Sequence, residues 1–297
     1  MNICNVSVVI PTYNRSDQLL EAIEKILECD PQPDEIIVHV DAGDRVTESA
    51  IQNSPFQNII ILKSDTQMGP GGGRNKAISH AKHGIVASFD DDSYPLDKDY
   101  FDRLIYLFEA FPKAAVIGAA IYHIDEPIQP DEKTAQWESA FVGCGCAYRK
   151  EIFQQTQGYV ALPVAYGMEE VDLSLRLHAM DWGILISPWL RVFHDTRLAH
   201  HSSPKVTAAS IANLALLAYL RYPPSLWWLG LMQCFNRIVW LVRHGRWAGI
   251  RKGVIMIPMH LWQHHQYRQP IASQSLFSYL KLRRSFIQAS LPQATAQ

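Results

Sequence analysis

A chain of 297 residues, 48% of them hydrophobic, can bury the core of one large domain or of one domain with an extension, which argues against disorder. The formal net charge of -2 hides an uneven distribution: all 29 acidic residues lie at or before Asp195, while eleven Lys and Arg residues stand unopposed from Pro204 to Gln297. The five cysteines show no CxxC spacing and suggest neither a disulfide framework nor a zinc site, and the start carries no secretory signal, so a reducing, cytoplasmic setting is expected.

In chain order, short β-branched runs alternate with helical patterns. Strands are expected at Val6 to Ile10, Glu35 to Val40 and Asn58 to Leu62, with a helix from about Asp17 to Glu28 that Ser16 would cap. A helix from about Gly73 to Lys82, a strand Gly84 to Phe89, a helix from about Lys98 to Phe111 and a strand Ala115 to Ala120 follow. The apolar runs are continuous, as in strands covered on both faces, so the expected fold class is α/β with a mainly parallel sheet. Between Tyr122 and Ser139 the pattern gives way to prolines and mixed charges and reads as a loop. A strand Phe141 to Tyr148, a helix from about Glu169 to Met180 and a short strand Ile184 to Ile186 complete a first part that ends near Ser203.

In an open α/β sheet, ligands bind beyond the carboxyl ends of the strands, and both Asp41 and the Asp90-Asp91-Asp92 cluster follow a strand. Three adjacent carboxylates repel one another, and a cation offsets that repulsion; oxygen-only ligands favour Mg²⁺ or Mn²⁺ over zinc. A solvated Asp-rich turn is the plainer alternative. The Gly69-Pro70-Gly71-Gly72-Gly73-Arg74-Asn75 segment opens a helix, whose N-terminus favours anions, but it is not a Walker A loop. A flexible turn into a helix explains those glycines equally well. Glu169 and Glu170 suit the first turn of a helix through the macrodipole alone, and Asp172 with Arg176 has the i,i+4 spacing of a helical ion pair. The glycines of Gly143-Cys144-Gly145-Cys146 mark a bulge or a close approach by a ligand, and the thiols read as small buried hydrophobes.

Taken together, Val6-Ser7-Val8-Val9-Ile10-Pro11-Thr12-Tyr13-Asn14-Arg15, the DxD element Asp90-Asp91-Asp92, and Glu169-Glu170-Val171-Asp172-Leu173-Ser174-Leu175-Arg176 have the order and rough spacing seen in family 2 glycosyltransferases of the GT-A fold. The resemblance covers about two thirds of the chain. It implies inverting transfer of a sugar from a nucleotide-sugar donor to an acceptor hydroxyl on a glycan or lipid-linked glycan, with Mg²⁺ or Mn²⁺ as cofactor, as in cell-surface polysaccharide synthesis. Carried over by position, Pro11, Thr12, Tyr13 and Arg15 would line the nucleotide pocket and Asp41 would accept from the base. Arg74 and Asn75 would lie near the donor, Asp90 and Asp91 near the nucleotide, and Asp92 would ligate the metal with His194 close by. Glu170 would be the base, with Glu169 as the alternative, and Gly143, Gly145 and Asp172 would lie on the acceptor side.

The remainder, 204–297, reads as a basic, Trp-rich helical extension. From Ser225 to Val242 an apolar run is interrupted by Gln233, Asn236 and Arg237, which would share one face of a helix lying in a membrane interface. Tryptophan with Lys and Arg suits an anionic membrane surface; packing on the acidic first part is the alternative. A nucleic-acid partner is not expected, because the tryptophans sit in apolar helical runs and not as platforms among the basic residues. A dehalogenase-type phosphotransferase and a nucleotidyltransferase are disfavoured, since neither family's first-strand signature occurs.

Overall fold

The computed structural model describes residues 2–164, 166–196, 203–285 and 287–291. The expected alternation is present as β1 (Ile3–Thr12), α1 (Ser16–Leu27), β2 (Gln32–Val40), β3 (Ile59–Lys63), α3 (Gly69–His80) and β4 (Ile85–Phe89), with α2 (Arg45–Gln52) between β2 and β3 and β5 (Ser93–Pro95) after β4 as additions the sequence did not suggest. After these come α4 (Tyr100–Ala110), β6 (Ala114–His123), β7 (Ala135–Glu138), β8 (Gly145–Arg149), α5 (Lys150–Gln155), α6 (Glu169–Ala179) and β9 (Gly183–His194). The later part adds α7 (Pro204–Arg221), α8 (Trp227–Arg243), α9 (Ile250–Gln263), α10 (Ser273–Leu282) and β10 (Ile287–Ala289).

One sheet runs in the order β10-β7-β9-β6-β8-β4-β1-β2-β3, with β5 on β9. The half formed by β3, β2, β1 and β4 is parallel, as β-strand runs joined by helices require, and β6 pairs parallel with β9. Antiparallel β8 sits between β4 and β6 and brings the 143–146 segment beside the end of β4. Both faces of the sheet are covered: Val8, Ile10, Leu19, Ile23 and Phe101 belong to one core, and Val9, Ile37, Ile78, Tyr148 and Leu173 to the other. This is why the central strands are apolar on both faces.

Several expectations change in detail. Ser16 is the first residue of α1 and not its cap; Arg15 holds the cap position, and no side chain caps that end. The 122–139 stretch contains β7, and β9 is far longer than the three residues read from the sequence, because a register shift between Ala119 and Ala120 on β6 lets pairing resume beyond Pro188 and Trp189.

The part after Ser203 is not a detached appendage. Helix α7 packs into a cluster with Val160, Leu162 and Met168, Asn213 Nδ2 donates to the carbonyls of Val164 (2.9 Å) and Tyr166 (3.1 Å), and β10 pairs antiparallel with β7. Helices α8 and α9 both pack against α7. The polar face of α8 is turned inward: the Tyr222 hydroxyl donates to Gln233 Oε1 at 2.9 Å and Arg237 Nε to Ser210 Oγ at 3.3 Å, while Asn236 stays exposed. Much of what α8 and α9 show to solvent is apolar, including Trp228, Leu231 and Phe235 on the first and Ile255, Met259 and Trp262 on the second, with Arg243, Arg251 and Lys252 exposed at the helix ends. No helix among the described residues is long and apolar enough to cross a membrane.

Candidate active site

The carboxyl ends of β1, β2 and β4 open onto a cleft of about 1110 Å³ that also takes in Gly143, the start of α6, and the side chains of Val206, Ser210, Leu214, Arg237 and Arg283 from the later helices. The strand ends meet there because parallel strands place their carboxyl ends on one edge of the sheet. Pro11, Thr12, Tyr13, Arg15, Asp41, Arg74, Asp90, Asp91, Asp92, Gly143, Glu169, Glu170 and His194 all line it, as the sequence suggested.

The three aspartates face different partners. Asp91 accepts from Thr12 Oγ1 at 2.9 Å and Arg15 Nη1 at 2.8 Å, and Arg15 Nη2 lies 2.8 Å from Asp92 Oδ2. Burial pushes the Asp91 carboxyl up to about 6 against the pull of Arg15, with Asp90 and Asp92 adding to the rise. Burial also raises Asp92, but His194 and Arg15 more than offset it and leave this carboxyl below its ordinary value. His194 Nε2 is 3.1 Å from Asp92 Oδ1; burial disfavours the charged ring, yet Asp92 and Asp90 leave its pKa raised. Asp90 pairs instead with the buried Arg74, whose Nε donates to Ser88 Oγ at 3.0 Å.

Asp41 reaches the cleft already committed to the protein. Its two oxygens accept from the N–H groups of Ala42, Met68 and Gly69 and from Ser64 Oγ, at 2.7 to 3.1 Å. Burial raises this carboxyl, but the four donors outweigh it and hold the pKa below the usual range. Asp41 thus ties β2 to the loop that enters α3. Gly69 at the start of that helix has φ +72°, and a Cβ there would meet the Leu162 carbonyl oxygen at 2.1 Å.

Glu169 and Glu170 open α6 and face Arg74. Arg74 Nη1 is 4.0 Å from Glu169 Oε2, and Glu169 is 5% exposed with Oε1 lacking a hydrogen-bond partner. Gly71 makes room for it, since a Cβ on that residue would lie 1.7 Å from Glu169 Oε1. Burial pushes the Glu169 carboxyl up to about 8, with Arg74 opposing and Glu170 and Asp90 adding to the rise. Burial likewise raises Glu170, which accepts a hydrogen bond from the Gly143 N–H. One guanidinium therefore serves three carboxylates, and a proton is retained among them near neutrality.

This arrangement has a consequence for stability. The unfolded chain loses the Glu169 proton near 4.5, whereas the folded chain keeps it to about 8, so stability falls as pH rises through that window. Asp91, held up to about 6, adds to the same slope at the acid end. Thermal melts should show Tm falling by several degrees from pH 5 to pH 8 in the wild type, and Glu169→Gln should flatten most of that slope. An unchanged slope in the variant would place the retained proton elsewhere.

Three residues expected at the site lie away from the cleft. Asn75, next to Arg74 on α3, is rotated off by one helical step and clamps the backbone of Tyr159, with Nδ2 donating to its carbonyl and Oδ1 accepting from its N–H, both at 2.8 Å. Asp172 is 1% exposed, two positions beyond Glu170 on the opposite side of α6, where it pairs with Arg176 and with Arg221 of α7. Gly145 is a packing residue of β8, since a Cβ there would meet Ile121 and Val192. In the other direction, Cys144 joins Asp90 and His194 in a group whose potential ligand atoms all lie within 4.8 Å of one another. Nothing in the chain's spacing points to this meeting beyond the position of Cys144 between two glycines. The contribution of α7, α8 and Arg283 to the cleft was foreshadowed only by the acid-free composition of 204–297. His200 and His201, without a ligand pattern in the sequence, lie outside the described residues.

Comparison with known proteins agrees with this geometry. The chain is 25% identical over 175 residues to the O-antigen chain rhamnosyltransferase RfbN of Salmonella typhimurium, covering 52% of this chain and 55% of that one. It is 34% identical over 90 residues, 29% of each chain, to the GalNAc(5)-diNAcBac-PP-undecaprenol beta-1,3-glucosyltransferase of Campylobacter jejuni. The chain thus spans about half or less of the length of these curated relatives. Among solved structures, the mannosyltransferase PcManGT of Pyrobaculum calidifontis, in complex with GDP-Man and Mn²⁺, superposes with a TM-score of 0.58 at 15% identity, covering 94% of this chain and 87% of that one. TarS 1-349 of S. aureus with UDP-GlcNAc does so at 0.54 and 16% identity, covering 79% and 72%. The fold is therefore that of the GT-A glycosyltransferases. Residues 7–141, a stretch that carries Thr12, Asp41, Arg74 and the three aspartates, match the model described as glycosyl transferase family 2.

Proposed function

We propose that this protein is an inverting, divalent-metal-dependent glycosyltransferase that moves a sugar from a nucleoside-diphosphate sugar to a hydroxyl of a glycan or lipid-linked glycan. The observation that carries the reading is the meeting, in one cleft, of the Asp90 to Asp92 cluster with a buried carboxyl pair on α6, bridged by Arg74. The printed names of the relatives, a rhamnosyltransferase and a glucosyltransferase of an undecaprenol-linked glycan, support the reaction class and an acceptor of this kind.

Pro11 and the 45% exposed Tyr13 offer the nucleotide an apolar wall and a ring face, and Arg15 offers it a cation. Asp90, Asp92 and His194 supply donors suited to a divalent ion, and Mn²⁺ accompanies the nucleotide sugar in the mannosyltransferase of the same fold. Such an ion, when bound, supplies positive charge against the leaving diphosphate. Glu170, oriented by the Gly143 N–H, takes the proton of the acceptor hydroxyl as its oxygen bonds to the anomeric carbon and the carbon–diphosphate bond breaks. Displacement in one step inverts that carbon. Arg74 opposes the rise that burial imposes on the Glu170 carboxyl.

Thermal shift with a panel of nucleoside diphosphates and nucleotide sugars, in Mn²⁺, Mg²⁺ or chelator, tests the donor site. One nucleotide class at about a hundred times its Kd should raise Tm by about 5 °C or more in metal only, and Asp92→Ala should abolish the rise. Well-folded protein that responds to no nucleotide would overturn the reading.

The same reading includes peripheral association with an anionic membrane surface. Its support is the outward apolar face of α8 and α9, in a region with eleven basic and no acidic residues. Intact protein should float with anionic vesicles, and Trp228→Ser with Phe235→Ser should leave it at the bottom of the gradient. Failure of the intact protein to float would remove the membrane from the proposal and leave the donor site untouched.

A further inference from the structure

We infer that Asn213, its amide oriented by His260, is a positioning residue for sugar transfer: it fixes the wall of the cleft formed by the segment before α6, and through that wall the acceptor's approach to Glu170. The inference rests on the transfer reaction proposed above and gives the later helices a part in it. Pro163, Val164, Tyr166 and Gly167 line the cleft just ahead of Glu169 and Glu170. Asn213 of α7 is 1% exposed and does not line the cleft, although Ser210 and Leu214 on the same helix do. It acts from behind the wall, with Nδ2 donating to the carbonyls of Val164 at 2.9 Å and Tyr166 at 3.1 Å.

The amide has one orientation that satisfies its neighbours. Both Nδ2 hydrogens go to carbonyls, so Oδ1 faces His260 Nε2 at 2.9 Å, and that ring nitrogen is the donor. Burial, with His264 adding to it, pushes the His260 pKa down to about 4, so at neutral pH the ring is uncharged and its one proton sits on Nε2. Helix α9 comes close enough to α7 for this contact because of Gly253, where a Cβ would stand 2.7 Å from the Ala208 carbonyl oxygen.

The other end of the segment is anchored on α3. Asn75 clamps Tyr159, and the Leu162 carbonyl lies against Gly69. Met168, which ends the segment, packs with Leu216 and Leu220 of α7. The chain thus crosses from α3 to α7 on its way to Glu170, and Asn213 is the polar tie on the α7 side. Without that tie two carbonyls lose their donor, and the backbone has to turn to recover one. Tyr166, whose side chain hydrogen-bonds to Arg237, would turn with it. The nucleotide pocket proposed at Pro11, Thr12 and Tyr13 lies at the end of β1, and none of these hydrogen bonds of Asn213 reaches it.

The experiment is steady-state transfer by the full-length protein from the nucleotide sugar that thermal shift selects, with octyl glycosides as acceptor probes and nucleotide affinity measured alongside. Asn213→Ala should lower kcat/KM for the acceptor by about 10–100-fold while the Kd of the nucleoside diphosphate changes by less than about twofold. His260→Gln keeps an N–H donor in the place of Nε2 and should hold kcat/KM to within about threefold, whereas His260→Leu should fall as Asn213→Ala does. That pair decides the matter even where Asn213→Ala fails to fold. Unchanged acceptor kinetics in Asn213→Ala, equal losses in His260→Gln and His260→Leu, or nucleotide binding lost in step with turnover would each overturn the inference and leave the transfer reaction standing. Wild type that binds no nucleotide would overturn the transfer reading itself, and this inference with it.

Discussion

Glu170→Gln is expected to lower the turnover of sugar transfer by about 10²–10⁴-fold, the usual worth of a general base, while leaving the nucleotide-dependent rise in Tm unchanged. Gln keeps the shape and can still meet the Gly143 N–H through its amide oxygen, so only the capacity to take a proton is removed. Arg74 retains Asp90 and Glu169 as partners, and one of three carboxylates crowding a single cation disappears, so the variant should fold at least as well as wild type. Glu169→Gln is the matched comparison. Its carboxyl holds a proton to about 8 and so cannot accept one at neutral pH, and its loss should reduce turnover by less than about tenfold. Transfer assays on the two variants, with thermal shift as the control for donor binding, decide between them. A large loss in Glu169→Gln and a small one in Glu170→Gln would move the base to Glu169.

Arg221→Met should be the most destabilising single substitution in the later helices, at about 3–5 kcal/mol, the cost of breaking a buried ion pair by removing one partner. For a chain of this size that corresponds to a fall in Tm of roughly 10 °C. Arg221 is 0% exposed; its Nε and Nη2 meet Asp172 at 2.5 and 3.2 Å, and Nη1 donates to the Tyr267 carbonyl at 3.0 Å. Burial alone would push the Asp172 carboxyl up, but Arg176 and Arg221 together hold it below its ordinary value, so it is a buried anion between two cations. Removing Arg221 leaves that anion with Arg176 alone and orphans a backbone carbonyl. The double variant Arg221→Met with Asp172→Asn should recover part of the loss, since the uncompensated charge goes with it. Melts in which the single variant loses less than about 1 kcal/mol would show that water or a shifted side chain replaces the guanidinium. Because Asp172 is on the helix that begins with Glu169 and Glu170, the same variant is expected to loosen the end of α6 that faces the cleft.

How much of this was legible in the sequence depended on which physical rule decided each residue. Most strands and helices up to Ala120 follow from apolar periodicity, though α2 and the short β5 do not, and the placing of Thr12, Asp41 and Asp90 on one edge follows from parallel strands. Motif adjacency was a poorer guide, because neighbours on a helix point about 100° apart. Asn75 follows Arg74 in the chain and leaves the cleft; Asp172 follows Glu170 by two and becomes the partner of Arg221. Nor could spacing tell that a Gly at 71 exists to admit the Glu169 carboxyl, or that Cys144 faces His194, since both are meetings of distant segments. The polar residues of α8 were read correctly as one stripe in Gln233 and Arg237, but the sequence could not say which way the stripe would turn. Tyr222 and Ser210 turned it inward by offering hydrogen-bond partners.

The pairing of β10 with β7 joins segments about 150 residues apart, among the most distant contacts in the sheet. Until Ile287–Ala289 arrives, the outer side of Ala135–Glu138 is an open edge with unpaired N–H and C=O groups, the kind of surface on which unfinished chains associate. Synthesis that stops after α9 would yield nearly every helix of the molecule and still leave β7 as the outermost strand of the sheet. A strand of three residues that takes no part in the cleft is therefore expected to cover the edge on which unfinished chains would pair.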